Sequence, residues 1–258
     1  MFMQKPSLEE ITPEWDAPEN VHAFFTTRNG GVSAGPWGGA DGFNGLNLAT
    51  HVGDSSFTVK MNRKMVAEKL PGEPKWLEQV HSCTAVDAAE VEDTPAADAS
   101  FTNVDNVVCV VMTADCVPVL LCDTAGRGVA AVHAGWKGLN DGVIQTSVKA
   151  LREKIGDENA EILAWIGPCI RKDAFVVQED TVAAFRSGTV AESVDAALEK
   201  REDGYRLDLP MLAAAALKQD GVERVRDSGL CTYSDASRFY SYRRDGECGR
   251  HGAFIWLA

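Results

Sequence analysis

Two apolar runs in the middle of the chain constrain the fold more than any other feature. They are VVCVVM at 107–112 and VPVLLC at 117–122. Neither run alternates with polar residues, as a strand with one face in water would. A strand that is apolar on both faces has to be covered on both faces. We therefore expect both segments to be buried central strands.

The rest of the chain mixes predicted strands with predicted helices. Apolar patterning predicts further strands at 21–28, 75–82, 128–134, 160–168, 222–229, 238–244 and 253–258. Helical spacing predicts helices at 55–69, 139–156, 179–187 and 208–219, with Asp54 and Asp208 as N-caps and Gly156 ending the second helix. The glycine-rich segment 29–45 is expected to be a loop. We predict one α/β (α+β) domain over 1–258, with a mixed β-sheet sandwiched by helices and residues 1–20 as an N-terminal extension.

Composition and charge narrow the possible functions. The chain has 258 residues, 45% of them hydrophobic, and a net charge of −13. It can bury a large core, and its field repels nucleic acid and anionic membranes. The negative net charge does not exclude a phosphorylated small molecule as substrate, because such a molecule needs only a local basic pocket.

The seven cysteines include no CxxC pair, and neither a signal peptide nor a membrane span is visible. We expect a reduced, cytoplasmic protein that is a monomer or a small homo-oligomer.

Two of the five histidines and one cysteine form a candidate metal site. His81 and His133 each end a predicted strand and precede small residues, in QVHSC and AVHAGWKG, and Cys116 lies between the two apolar runs in TADCVP. Two imidazoles and a thiolate suit zinc and leave a fourth position open. The gaps of 35 and 17 residues are no local signature of a metal site. A buried cysteine and two core histidines explain the same residues.

Several segments resemble the bacterial laccase-domain family. They are FFTTRNGGVS, LNLATHVGD, LEQVHS, TADCVPVLL, AVHAGWKG, IGPCI and FYSYRRDGECGRHGAFIWL, and together they extend from Val21 to the C-terminus. Members of this family are described as multi-copper polyphenol oxidoreductases, as purine nucleoside phosphorylases with adenosine deaminase activity, and as peptidoglycan-precursor editing factors. The resemblance implies zinc on His81, Cys116 and His133, a nucleoside and phosphate as substrates, and an α/β fold related to cysteine hydrolases.

The copper description is tested by the residues themselves. Two histidines and a cysteine with a nearby methionine, here Met112, make a blue-copper ligand set, so copper could occupy the site in vitro. A multi-copper oxidase also needs a trinuclear cluster rich in imidazoles. Five histidines, of which two are already used, cannot supply it. A copper polyphenol oxidase therefore ranks below a zinc enzyme.

The two reactions that the resemblance implies need different residues. Deamination needs a carboxylate that moves protons, and Asp115 is the candidate, although it could instead cap the strand end. Phosphorolysis needs cations for the phosphate dianion. Arg28 is favoured because TTRNGGVS contains it, and Arg63, Lys137 and Arg243 are further candidates, each of which could equally be a solvated surface residue. If Arg243 and Arg244 lie on a strand, they point to opposite faces. Trp136 could stack on a purine or could be plain packing.

Two other functional classes stay open. One is a cysteine- or zinc-dependent amidase that edits cytoplasmic peptidoglycan precursors; in its metal-free form Cys116 is the nucleophile and His133 or His81 is the base. The other is a metal-dependent binding or regulatory protein with weak catalysis. Metal content would distinguish the first class, because a zinc-bound Cys116 is no free nucleophile.

Overall fold

The computed structural model describes residues 8–258, so residues 1–7 of the predicted N-terminal extension lie outside the described part. The strands are β1 (Glu10–Ile11), β2 (Val21–Thr26), β3 (Asn29–Ser33), β4 (Ala85–Asp87), β5 (Ala99–Thr102), β6 (Cys109–Thr113), β7 (Val117–Asp123), β8 (Val129–Ala134), β9 (Ile162–Ile166), β10 (Val176–Val177), β11 (Leu198–Arg201), β12 (Gly204–Leu207), β13 (Arg224–Asp227) and β14 (His251–Leu257). The α-helices are α1 (Ser56–Ala67), α2 (Trp136–Asp141), α3 (Val143–Ile155), α4 (Glu179–Arg186), α5 (Val194–Ala197), α6 (Leu209–Gln219) and α7 (Tyr242–Asp245). Short 3-10 turns lie at Gly35–Trp37, Lys172–Ala174 and Ala191–Ser193.

The strands divide among three sheets. An antiparallel sheet has the order β1-β2-β14-β6, and a six-stranded mixed sheet has the order β13-β9-β7-β8-β5-β4. In the mixed sheet, the two outer pairs, β13 with β9 and β4 with β5, are parallel. A small sheet, β10-β12-β11, completes the set. The predicted α/β class with a mixed sheet and helices is confirmed, and β1 shows that the described part of the extension joins the first sheet.

The two apolar runs lie back to back in different sheets. On β7, Val119 and Leu121 pack with the helices α2, α3 and α6, whereas Leu120 and Cys122 pack against the four-stranded sheet. On β6, Val111 belongs to that same inter-sheet core, and the opposite face packs toward α1. Both faces of both strands are therefore buried, as the unbroken apolar pattern predicts.

Three predicted elements are wrong. Segment 75–82 is not a strand and makes only the isolated bridges Lys75↔Cys109 and Glu78↔Ala96. The end of this segment does not pair with a neighbouring strand, because its backbone N–H groups donate to the carboxylate of Asp98 instead. The expected loop 29–45 contains β3. The predicted strand 238–244 turns into α7, because the hydroxyl of Ser241 accepts a bond from the backbone N–H of Arg244 and caps a helical turn.

The predicted helices are confirmed with shifted boundaries. The helix predicted at 139–156 starts earlier and divides at Gly142, whose φ of 96° is left-handed, before it ends at Gly156 as predicted. Asp208 is the N-cap of α6, as predicted, and accepts from the backbone N–H of Met211. The cap of α1 is Ser55 rather than Asp54. No helix within residues 8–258 is long and apolar enough to cross a membrane.

Candidate metal centre

His81, Cys116 and His133 come together at one end of the six-stranded sheet. Cys116 directly precedes β7 and His133 lies near the end of β8, on adjacent antiparallel strands. His81 lies in the turn that follows 75–80 and has a left-handed φ of 61°. The three ligand atoms lie within 4.8 Å of one another, and His81 Nε2 is 3.8 Å from the sulfur of Cys116. The sequence-predicted ligands therefore meet at one point.

Asp98, a fully buried carboxylate, holds two of these residues in place. Its Oδ1 is 2.7 Å from Nδ1 of His133 and accepts the backbone N–H of His81 at 3.0 Å. Its Oδ2 accepts from the backbone of Val80 and from both the backbone and the hydroxyl of Ser82. Burial raises the pKa of Asp98, but the bonds from His133 and Ser82 outweigh it and bring the pKa to about 2. With Nδ1 occupied by this carboxylate, His133 has Nε2 free for a metal.

The electrostatics favour an ionised thiol. Burial raises the pKa of Cys116, but the adjacent His133 and His81 lower it well below the usual value. Burial lowers the pKa of His133, but the thiolate of Cys116 and the carboxylate of Asp98 raise it. A metal cation would replace the imidazolium proton as the partner of the thiolate. A thiolate and two imidazoles, already oriented and close together, fit a zinc-type ion and leave room for another ligand.

Gly135 explains why the HAGW segment needs a glycine. A Cβ atom at this position would lie 2.4 Å from Cδ2 of His81 and 3.3 Å from the sulfur of Cys116. Any larger residue would push the ligand side chains apart. The close approach of the backbone is thus part of the geometry of the site.

Two cavities meet at this centre and share His81, Ala114, Cys116 and Tyr242. The first, here called the aromatic cavity, measures about 270 Å³ and is lined further by Asp115, Trp136, Ile170, Phe175, Leu209 and Arg243. The second, here called the basic cavity, measures about 340 Å³ and is lined further by His51, Gln79, Met112, Thr113, His133 and Arg250. A molecule in one cavity can therefore reach a molecule in the other beside the three ligand side chains.

Comparison with known proteins places the chain in a family. A family model described as multi-copper polyphenol oxidoreductase laccase matches residues 22–258. The chain belongs to this laccase-domain family. A purine nucleoside phosphorylase of Pseudomonas aeruginosa is 42% identical over 248 residues, which cover 96% of this chain and 98% of that protein. The purine nucleoside phosphorylase YfiH of Escherichia coli (strain K12) is also 42% identical, over 250 residues, with the same coverage of 96% and 98%.

A solved structure agrees with this assignment. The crystal structure of the Neisseria meningitidis protein NMB0706 superposes with a TM-score of 0.86 at 42% identity, covering 96% of this chain and 98% of that chain. The three sheets and the helices described above are therefore the fold of the laccase-domain family.

Asp115 lies at the wall of the aromatic cavity, and its carboxylate accepts three hydrogen bonds. One oxygen accepts from the hydroxyl of Thr232 at 2.6 Å, and the other accepts from the hydroxyl of Ser241 and from the backbone N–H of Arg243 at 2.7 Å. Its φ of 86° is left-handed. These bonds link the start of β7 to α7, which is the structural role expected at the strand end. The role of Asp115 in proton transfer stays a prediction.

Trp136 and Arg243 both line the aromatic cavity, as the predicted substrate-binding role requires. The guanidinium of Arg243 lies 5.0 Å above the ring of Phe175, and its Nη1 donates to the carbonyl of Val176. Arg243 is on α7 and not on a strand, so the argument about opposite faces does not apply. Lys137 is exposed, lines neither cavity and lies 5.6 Å from the ring of Trp136.

Arg28 and Arg63 line neither cavity. The guanidinium of Arg28 donates to the carbonyls of Gly38 and Ala236 and lies 4.9 Å above the ring of Tyr240. Nε of Arg63 donates to the carbonyl of Leu48, and its guanidinium is 3.8 Å above the ring of Trp76. Burial lowers the pKa of Arg63 to about 10. Both side chains thus stabilise the protein's own backbone in this structure.

The sequence reasoning missed Asp98, His51, Arg250 and Tyr242. His51 and Arg250 fall within the segments LNLATHVGD and GRHG that carry the family resemblance, so the resemblance held a signal for them. Asp98 lies in AADAS, outside those segments, and no local pattern marks it. Only the fold brings it under both histidines.

Proposed function

We propose that the protein is a zinc-dependent purine nucleoside phosphorylase that acts on adenosine and inosine and also deaminates adenosine. One observation carries this proposal: an aromatic cavity and a basic cavity meet at the His81, Cys116 and His133 group. A nucleoside needs an aromatic surface for its base, and phosphate needs cations. The names of the similar proteins from Pseudomonas aeruginosa and Escherichia coli support the same assignment.

The donor set supports zinc as the metal. A thiolate with two imidazoles suits zinc, and a three-residue set leaves a coordination position for water or substrate. A bound zinc ion would supply a Lewis acid that activates water or a polar atom of the substrate. A multi-copper centre lacks residues here, since His22 stacks on Trp256 and His251 is buried with Nε2 accepting from the backbone of Tyr240. Copper could still replace zinc in vitro, because it binds nitrogen and sulfur more tightly.

The residues of the two cavities account for phosphorolysis. Trp136, Phe175 and Tyr242 offer ring faces for the purine, and Leu209 closes the apolar wall. An oxygen of hydrogen phosphate forms a bond to C1′ while the bond from C1′ to N9 breaks. The purine keeps the electron pair of the broken bond and takes up the proton that phosphate gives up. The products are the free base and ribose 1-phosphate.

In the proposed deamination adenosine occupies the same cavity, but the nucleophile is water instead of phosphate. Water replaces the amino group at C6 of adenosine, so inosine and ammonia form. Asp115 is the carboxylate nearest to the purine cavity wall and is the proposed proton carrier. Its oxygens accept three hydrogen bonds, of which only one goes to Oδ1, so Oδ1 keeps a lone pair that can take up a proton.

A product assay tests the proposed function. Purified protein is given adenosine or inosine with and without phosphate, and bases, ribose 1-phosphate and inosine are quantified. We expect adenine and ribose 1-phosphate from adenosine only when phosphate is present, and inosine in either case. Cys116→Ser should abolish both reactions. Cys122→Ser, at a buried cysteine near the far end of β7, away from the centre, should retain them.

A cysteine hydrolase is the second candidate, and one specific observation favours it. Cys116, His133 and Asp98 form a chain of thiolate, imidazole and carboxylate, which is the order found in cysteine proteases. In that case, without metal, the thiolate of Cys116 bonds to the amide carbonyl carbon of a peptidoglycan precursor, and the C–N bond breaks as His133 gives a proton to the leaving amine. Water then hydrolyses the thioester to the free acid and restores the thiol. Turnover of such an amide by chelator-treated protein would establish the hydrolase, and loss of that turnover on chelation would exclude it. In either case we propose a cytoplasmic protein, as a monomer or small homo-oligomer, with small-molecule partners.

A further inference from the structure

Arg250 lines the basic cavity and has a hydrogen-bonding edge that no protein group uses within residues 8–258. Its Nη1 donates to the carbonyls of Cys248 at 2.9 Å and Gly249 at 3.1 Å, which fixes the guanidinium plane. Within residues 8–258, Nε and Nη2 have no hydrogen-bond partner and no carboxylate forms an ion pair with Arg250. Nε and Nη2 form the edge of a guanidinium that binds two oxygens of one anion.

His51 adds a second free donor to the same cavity. Its ring makes no hydrogen bond among the described residues, and it is exposed. Burial of part of the ring, with the charges of Arg250 and Arg63, lowers the pKa of His51, so the ring is neutral and donates one N–H. Arg250 lines the same cavity as His51, so this cavity is locally basic although the whole protein carries a net charge of −13.

Thr113 supplies an unpaired polar atom in the wall. Its side chain is 1% exposed, and its hydroxyl has no partner among residues 8–258. Gln79, by contrast, is fully used, since its amide donates to the carbonyl and accepts from the N–H of Met112. The buried hydroxyl of Thr113 and the free donors of Arg250 and His51 line one cavity, and together they can bind a polar anion.

We infer that the basic cavity binds the inorganic phosphate, with Arg250 and His51 as its specificity-determining donors, and that the nucleoside binds in the aromatic cavity. This inference rests on the proposed phosphorolysis. The two cavities share the lining residues His81, Ala114, Cys116 and Tyr242, so phosphate in the basic cavity can approach C1′ of a nucleoside whose base lies in the aromatic cavity. Arg243, whose guanidinium lies over Phe175, lines the aromatic cavity and therefore belongs to the part of the site that binds the nucleoside.

Steady-state kinetics of metal-loaded protein test whether phosphate and nucleoside bind in these separate cavities. For Arg250→Gln we expect the KM for phosphate to rise roughly ten- to a hundredfold, as for the loss of a charge-assisted bond. The KM for the nucleoside should stay within about twofold, and Arg250→Lys should recover part of the loss. His51→Ala, at an exposed position, should raise the phosphate KM several-fold. For Arg243→Gln the nucleoside KM should rise instead. Arg186→Gln, on the exposed face of α4, is the control and should change neither value.

Calorimetric titration with inorganic phosphate separates this inference from the proposed function. We expect metal-loaded wild-type protein to bind phosphate and Arg250→Gln to bind it at least tenfold more weakly. If no nucleoside is phosphorolysed but this difference holds, the phosphate site stands and the proposed function is wrong. If wild-type and Arg250→Gln bind phosphate equally, or if wild-type binds none, the inference is overturned. A phosphate KM that rises in Arg243→Gln but not in Arg250→Gln would also overturn it.

Discussion

Replacing Asp98 with asparagine tests how the fold holds the candidate metal ligands. The substitution keeps the shape of the side chain but removes the charge that faces Nδ1 of His133. If the amide oxygen stays on His133 and His81, the NH2 group faces Val80 and Ser82. The imidazole is then supported by a neutral acceptor, and two backbone N–H groups lose theirs.

The expected magnitudes follow from these contacts. Loss of a carboxylate behind a metal-binding histidine typically weakens metal affinity about 10- to 100-fold, equal to roughly 1.4–2.8 kcal/mol. The N–H groups of Val80 and Ser82 are only part-buried, so water can replace the lost acceptor, and each loss costs about 0.5–1.5 kcal/mol. The two losses together lower the free energy of unfolding by about 1–3 kcal/mol. We therefore expect Asp98→Asn to lose both zinc affinity and stability.

Asp123→Asn provides a matched control for this experiment. Asp123 is also fully buried and also accepts backbone N–H groups, those of Arg127 and Gly128, but it lies at the opposite end of β7 from Cys116. Zinc affinity is measured by competition with a chromophoric chelator, and stability by denaturant unfolding of the metal-free proteins. The control should lose stability while binding zinc like wild-type. Equal zinc affinity in Asp98→Asn and Asp123→Asn would refute the supporting role of Asp98.

Four further predictions follow from individual side chains. Alkylation of Cys116 should be slow in zinc-loaded protein and should accelerate when a chelator is added, as mass spectrometry of the modified peptide can show. Trp136→Ala should raise the KM for the nucleoside about tenfold and leave the phosphate KM unchanged; equal changes in both would contradict the stacking role. Burial lowers the pKa of His251 to about 3, so the neutral form stabilises the fold above about pH 6.5. As the pH falls from about 6.5 to about 3, the free energy of unfolding should decrease by about 1.4 kcal/mol per pH unit. Urea unfolding of His251→Gln should show a flatter pH dependence. Arg28→Ala should lower the melting temperature by several degrees through loss of the Gly38 and Ala236 contacts, and a large kinetic effect on phosphate without loss of stability would restore its predicted catalytic role.

Sequence patterns predicted the parts of the fold that local composition controls. The runs at 107–112 and 117–122 became β6 and β7 because unbroken apolar residues have to be buried on both faces. Asp208 caps α6 because a side-chain oxygen next to a free N–H is a local interaction. Segment 75–82 was predicted wrongly because its end is held by a carboxylate distant in sequence, that of Asp98. Segment 238–244 was predicted wrongly because the hydroxyl of Ser241 caps a helical turn, which the distant carboxylate of Asp115 also supports by accepting the N–H of Arg243.

The sequence likewise predicted only part of the candidate site. His81, Cys116 and His133 were predicted from their strand-end positions and from the family resemblance, and the structure brings them within 4.8 Å. The positions of the cations could not be read from the sequence. Arg28 and Arg250 both occur in motif segments, but only the fold shows that one binds backbone carbonyls and the other keeps a free edge in a cavity.

The most direct test of the account is the rate of adenine release as zinc is returned to metal-free protein. Chelator-treated protein is supplied with adenosine and phosphate and titrated with zinc. We predict no adenine at zero zinc, a rate that rises linearly to about one equivalent per chain and then stays constant, and no recovery for His81→Ala over the same range. Full activity without metal, or no adenine release at any zinc concentration, would contradict the claim that this centre catalyses phosphorolysis.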